Sequence, residues 1–161
     1  MIDLVTLIFG EDDIVRLKIE ESKQVGILYR TIDIRYLREI IDNDCLTSGN
    51  NNIICCSRDK NYYKSCRPLS VTLVLDGDKI SENYKIYPHM NKDEDKLHFN
   101  EFEERIKGPV YNIKRYILKI IVPKRLKENA LFLMHLGEFG FTSYEDLIFY
   151  IISNGIKVYS E

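Results

Sequence analysis

The sequence predicts an α+β fold in a single domain of 161 residues. Three observations carry that expectation. Short apolar, β-branched runs recur through residues 26–122 without the regular strand–helix alternation of a parallel βαβ sheet. Residues 123–161 change to helical spacing of their apolar side chains, which makes them a C-terminal helical extension ending in a short strand. No Gly-rich phosphate loop occurs, neither GxGxxG nor GxxxxGKS/T, so the ordinary dinucleotide-binding and P-loop folds do not apply.

Residues 1–24 fit two readings. Leu4–Phe9 and Ile14–Ile19 are apolar stretches around Gly10–Asp13, forming either a hairpin or a helix followed by a strand. Gly26–Thr31 reads as a short strand. Asp33 can cap a helix running to about Ile41, because Ile34, Leu37, Ile40 and Ile41 sit at helical spacing. The turn-rich stretch 42–52 is a loop. Ile53–Ser57 is a short strand and 58–68 a polar, aromatic loop. Ser70–Asp76 is the clearest strand of the chain, nearly all apolar and closed by Asp76-Gly77. A helical turn at Asp78–Asn83 and a strand at Tyr84–Tyr87, stopped by Pro88, come next. His89 to His98 is an acidic, solvated excursion. Asn100–Arg105 is a charged segment ahead of Gly108-Pro109, and Arg115–Val122 is a strong strand ending at Pro123. Two helices follow, about 124–136 and 143–153, then a strand at 156–159. Ser143 and Asp146 make a helix start of capping-box type.

Composition narrows the function classes. Lys and Arg total 23 against 25 Asp and Glu, so the chain is not a bulk nucleic-acid binder by charge. No apolar run approaches the roughly 18 residues of a membrane helix. The opening MIDLVTLIFGEDD has an acid at position 3 and no basic region, which is unlike a secretory signal, so a cytoplasmic location is expected. Cys45, Cys55, Cys56 and Cys66 lack metal-ligand spacing, and neighbours such as Cys55 and Cys56 point to opposite faces of a strand. Reduced, packed cysteines and no metal site are the expectation. Asp93, Glu94 and Asp95 lack the pattern of a calcium loop. Heavy use of Ile, Lys, Asn and Tyr, with 11 Tyr and no Trp, fits AT-rich coding DNA of the kind found in many phages and low-GC bacteria.

Three features at strand ends carry chemistry. Arg30 ends one strand, Ser57 the next, and Glu101, Glu103 and Glu104 precede or open a later one. If these strands are neighbours, a cation, a hydroxyl and paired carboxylates share one cleft. A guanidinium there grips a pyrophosphate bidentately. A carboxylate beneath a ribose stabilises positive charge developing at the anomeric carbon. A second carboxylate two residues away on an extended segment shares its face and can act on an incoming nucleophile. Tyr62 and Tyr63 can cover a flat ring. Each residue also has a plain reading. Arg30 pairs with Asp33. Ser57 is an ordinary strand-end hydroxyl. The three glutamates form a solvated helix face with Glu101–Arg105 and Glu103–Lys107 pairs. For the cleft-facing acid two registers stay open, Glu103 on an extended segment or Glu104 on a helical one. The apolar stripe Leu131–Leu136 with Phe139 and Phe141 is core first, and a partner-binding patch second.

The ordered set Leu28–Thr31, Cys56–Asp59 and Glu101–Arg105 resembles the ADP-ribosyltransferase superfamily, in its arginine–serine–glutamate branch, as seen in small phage and bacterial proteins. The resemblance covers about residues 26–122 and implies split antiparallel β-sheets with flanking helices around an NAD cleft. It implies Arg30 on the NAD phosphates or the nicotinamide-side ribose, Ser57 supporting the site, and Tyr62 and Tyr63 over the cofactor. Glu103 is then the catalytic carboxylate, and Glu101 positions or activates the acceptor. NAD is a substrate, and ADP-ribose passes to a macromolecular target, a protein rather than nucleic acid, such as a host factor of a phage. The sequence departs from the family at its Ser-Thr-Ser motif, where Cys56-Ser57-Arg58 stands. That departure keeps a second expectation open: an inactive nucleotide- or protein-binding inhibitor of the same fold, acting against host defence.

Overall fold

The computed structural model of the chain describes residues 25–49, 52–59, 61, 69–88 and 103–161. The expectations for residues 1–24, for Tyr62, Tyr63 and Cys66, for the acidic excursion 89–98 and for Glu101 lie outside these residues. Within them the chain runs β1 (Ile27–Asp33), a 3₁₀ turn at Ile34–Tyr36, α1 (Leu37–Asn43), β2 (Cys45–Leu46), β3 (Ile53–Ser57) and β4 (Ser70–Asp76). Then come α2 (Gly77–Ser81), β5 (Ile86–Pro88), β6 (Glu103–Lys107), β7 (Val110–Tyr111) and β8 (Ile117–Val122). The last elements are α3 (Ala130–Met134), α4 (Tyr144–Ser153) and β9 (Val158–Ser160).

The architecture is mixed α+β. Among the described residues one seven-stranded sheet has the order β5-β6-β3-β1-β4-β8-β9. Its pairs are antiparallel except β8–β9, which is parallel. β2 and β7 form a separate two-stranded ribbon. β1 and β4 pair at every position from Ile27↔Asp76 to Asp33↔Ser70. That register puts Leu28 opposite Leu75 and Ile32 opposite Val71 on one face. Ile54 and Ile106 pair farther along the sheet, and Leu73 meets Ile120 on β8. These side chains join Leu37, Ile41, Phe132, Leu147 and Ile151 from the helices in one continuous core. Burial of that shared face is the main force holding helices to sheet.

Local chemistry sets the element ends. Asp33 accepts from the backbone N–H of Arg35 at 3.0 Å, starting the turn that leads into α1. Asp76 accepts from Lys79 N at 3.1 Å and starts α2. Gly77 stands where a Cβ would come within 2.4 Å of the Gly26 carbonyl oxygen, so this close approach of backbones requires glycine. Ser143 accepts from Asp146 N at 3.0 Å, as expected for the start of α4. Asp146 reaches back to Thr142 N rather than Ser143 N, which makes the box one residue wider.

Two expectations need correction. The single helix at 124–136 is a 3₁₀ segment Lys124–Glu128 and the short α3, divided at Asn129. Asn129 is extended, and its side chain caps α3 by accepting from Phe132 N at 3.0 Å. A side chain that competes for backbone donors favours such a break. The charged segment ending at Arg105 is not a solvated helix face either. Its described part opens β6, a strand inside the sheet.

Candidate functional site

The site forms where the sheet changes character. β1 meets β3 at a single pair, Tyr29↔Ser57, whereas β3 pairs β6 at five positions, from Ile53↔Lys107 to Ser57↔Glu103. Tyr29, Ser57 and Glu103 therefore make one row across three strands and share a face. Past Tyr29 the ladder between β1 and β3 stops. There Arg30 bridges the two strands with its side chain: Nη1 donates to the Cys55 carbonyl at 2.8 Å.

A cleft of about 710 Å³ opens beside this seam. Its walls are Arg30–Asp33 of β1, Tyr36, the α1 residues Glu39, Ile40 and Asn43, and the segment Cys45–Gly49. That volume is in the range of small-molecule and cofactor sites, roughly 300–1,000 Å³. Polar groups on the wall include the hydroxyls of Thr31, Thr47 and Ser48 and the amide of Asn43. Arg30 is the notable cation. Among the described residues no carboxylate pairs with it, and its Nε is buried without a hydrogen-bond partner. The Arg30–Asp33 pair does not form. Asp33 instead takes two hydrogen bonds from Arg35, at 3.2 and 3.1 Å.

The acids divide by strand alternation. Glu103 is half-buried and lies on the face of Ser57 and Cys55. Ser57 is buried, and its Oγ accepts from Asp59 N at 2.9 Å. Glu104 turns to the opposite face with Ile106 and is 1% exposed. Its Oε1 lies 3.3 Å from Arg58 Nε, yet neither carboxylate oxygen has a hydrogen bond of good geometry. Burial pushes the Glu104 carboxyl up to about 7, against the opposing pull of Arg58. Burial also pushes the Cys56 thiol up to about 12. The Cys55 thiol is raised first by burial and then by the neighbouring Glu103 carboxylate.

Arg30, Ser57 and Glu103 thus stand on three consecutive strands, as their sequence order suggested. Arg30 lines the cleft and, opposite Leu73, lies on the sheet face of Leu28 and Ile32, whereas Ser57 and Glu103 lie with Tyr29 on the other face and do not line the cleft. The segment is a strand and not a helix; neither Glu103 nor Glu104 lines the cleft, and Glu104 is buried on the core face. Sequence reasoning missed the pairing of Arg58 with Glu104. The signal for Glu104 was present: in Glu103–Lys107, alternation places it with Ile106. Among the described residues no cluster of His, Cys, Asp and Glu could hold a metal ion, and no helix is long and apolar enough to cross a membrane.

No protein-family model matches the chain, and no curated protein matches its sequence.

Proposed function

We propose that the protein is a mono-ADP-ribosyltransferase-like enzyme with a split-sheet NAD cleft. It cleaves the bond between nicotinamide and ribose and passes ADP-ribose to a macromolecular target. The observation that carries this reading is Arg30: a guanidinium without a carboxylate partner among the described residues, on the wall of a 710 Å³ cleft, with the Ser57–Glu103 pair one strand away on the other face of the sheet. Among the described residues the sheet is continuous, and the single rung between β1 and β3 is where it comes nearest to dividing.

Arg30 grips the pyrophosphate. Ser57 supports the site from the row it shares with Glu103. As nicotinamide departs with the electrons of its bond to C1′, positive charge grows on the ribose and the Glu103 carboxylate stabilises it. A nucleophile of the target then bonds to C1′ and gives its proton to Glu101. Stabilisation of developing charge by one preorganised group is worth about 10²–10³ in rate. Glu103→Gln should therefore slow nicotinamide release from labelled NAD by at least about a hundredfold with the fold intact by circular dichroism. Release at the wild-type rate would remove Glu103 from the mechanism.

One observation favours a second reading, a nucleotide- or protein-binding inhibitor without turnover. Arg58, in the departure from the Ser-Thr-Ser motif, is committed to buried Glu104. Calorimetric binding of NAD with no nicotinamide release would select it. A phage-encoded protein acting on a host factor suits the composition under either reading.

A further inference from the structure

We infer that Glu39 makes the cleft selective: its carboxylate receives the 2′- and 3′-hydroxyls of a ribose and turns away the same sugar carrying a 2′-phosphate, so that NAD is bound and NADP refused. The inference deepens the proposed function and rests on its placing of a dinucleotide phosphate on Arg30. Its basis is the side of α1 that lines the cleft. Tyr36, Glu39, Ile40 and Asn43 lie there, at helical spacings of three and four residues. The adjoining side of the same helix, Leu37 and Ile41, is fully buried in the core. The cleft side carries instead a half-exposed ring, a carboxylate and an amide, which leaves it dressed for a polar ligand rather than for packing.

Two carboxylates line the cleft, and they are not equivalent. Asp33 is spent: it caps the turn into α1 and takes both side-chain bonds from Arg35, which also balances its charge. Glu39 is exposed and has no hydrogen bond or ion pair among the described residues. Arg30, on the β1 wall, gives one hydrogen bond to the Cys55 carbonyl and forms no pair with Glu39. The cleft therefore holds a cation and an anion that do not neutralise each other. One ligand answers both when it carries phosphate at one point and neighbouring hydroxyls at another. An ionised carboxylate only accepts, so it suits a pair of hydroxyl donors. A phosphate in place of the 2′-hydroxyl removes one donor and sets like charges together. Neither Glu103 nor Glu104 lines the cleft, so the sugar held there is the one away from the breaking bond. That is the adenosine ribose, the part in which NAD and NADP differ.

Calorimetric titration with NAD and with NADP tests this in the wild type, Glu39→Gln and Asp33→Asn. The wild type should bind NADP at least about tenfold more weakly than NAD. Glu39→Gln should bring the two affinities within about threefold of each other, by weakening NAD and strengthening NADP, at an unchanged melting temperature. Asp33→Asn, whose charge Arg35 already balances, should keep the wild-type preference. Equal affinities in the wild type, or a preference that survives Glu39→Gln, would overturn the role of Glu39 and leave the NAD cleft standing. Binding of neither dinucleotide overturns the cleft and the role of Glu39 together. A Glu39-dependent preference for NAD without nicotinamide release supports the role of Glu39 and removes turnover from the proposed function.

Discussion

The two halves of the sheet meet at β1 and are built in opposite ways. Toward β4, β1 is zipped at seven successive positions and, Arg30 apart, its core face is aliphatic. Toward β3 it has one rung, and the junction is completed by an arginine reaching a carbonyl. The β4 half carries Val71, Leu73 and Leu75, each 1% exposed or less. The β6 strand of the other half carries Glu103, Glu104 and Arg105 in a row. One half is stabilised by repetition of the same favourable contact. The other holds charges in costly places, as a sequence does where local folding rules yield to another demand.

The largest expected effect tests the first half. Leu73 is fully buried between β1 and β8, opposite Arg30 and Ile120. Leu73→Ala removes its packing and leaves a cavity, so stability should fall by about 2–5 kcal/mol in urea denaturation. A loss below about 1 kcal/mol would mean that the zipped half is not the anchor of the fold.

The next effect tests the second half through pH. The Glu104 carboxyl is raised by burial from its ordinary 4.5 to about 7, so the fold favours its protonated form. Below about pH 4.5 both folded and unfolded chains carry the proton and the group costs nothing. As pH rises through 7 the native chain must ionise a buried acid, and the stability present at low pH is lost. The shift corresponds to about 3 kcal/mol at full ionisation. Glu104→Gln has no such penalty. The two proteins should therefore diverge in urea midpoint between pH 5 and pH 8, the variant being the more stable at the upper end. A difference that does not change with pH would mean that Arg58 compensates the buried charge completely.

This contrast also explains what was legible in the sequence. Ser70–Asp76 could be read, as could the strand expected at Arg115–Val122 and found at Ile117–Val122 after a 3₁₀ turn, because their apolar runs state their burial directly. The Ser143 cap could be read because hydroxyl and helix start are local neighbours. β6 was read as a charged segment because five residues with four charged side chains, Glu103, Glu104, Arg105 and Lys107, give no hydrophobic pattern. Its place in the sheet is fixed by pairing with Ile53–Ser57, about fifty residues earlier, which no local pattern reports. The order arginine, serine, glutamate was legible, whereas the face each takes was not: Arg30 faces away from Ser57 and Glu103, which only the register between strands decides.

The smallest effect on stability separates two arginines. Arg38 is committed. Its Cζ lies 4.9 Å from the Phe141 ring centre and 4.4 Å from that of Tyr150, and Nη2 donates to the Gly140 carbonyl at 2.6 Å. Tyr150 adds a hydrogen bond to Asp42, so this clamp ties α1 to α4. Arg38→Met should cost about 2 kcal/mol, the sum of two cation–π contacts and a hydrogen bond. Among the described residues Arg30 makes one hydrogen bond and no ring contact, so Arg30→Met should cost about 1 kcal/mol or less. Its effect belongs elsewhere: calorimetric binding of NAD should disappear in Arg30→Met and persist in Arg38→Met. If the two substitutions cost the same stability and neither alters NAD binding, Arg30 is a strut across an imperfect seam, and the cleft beside it has no cation set aside for a ligand.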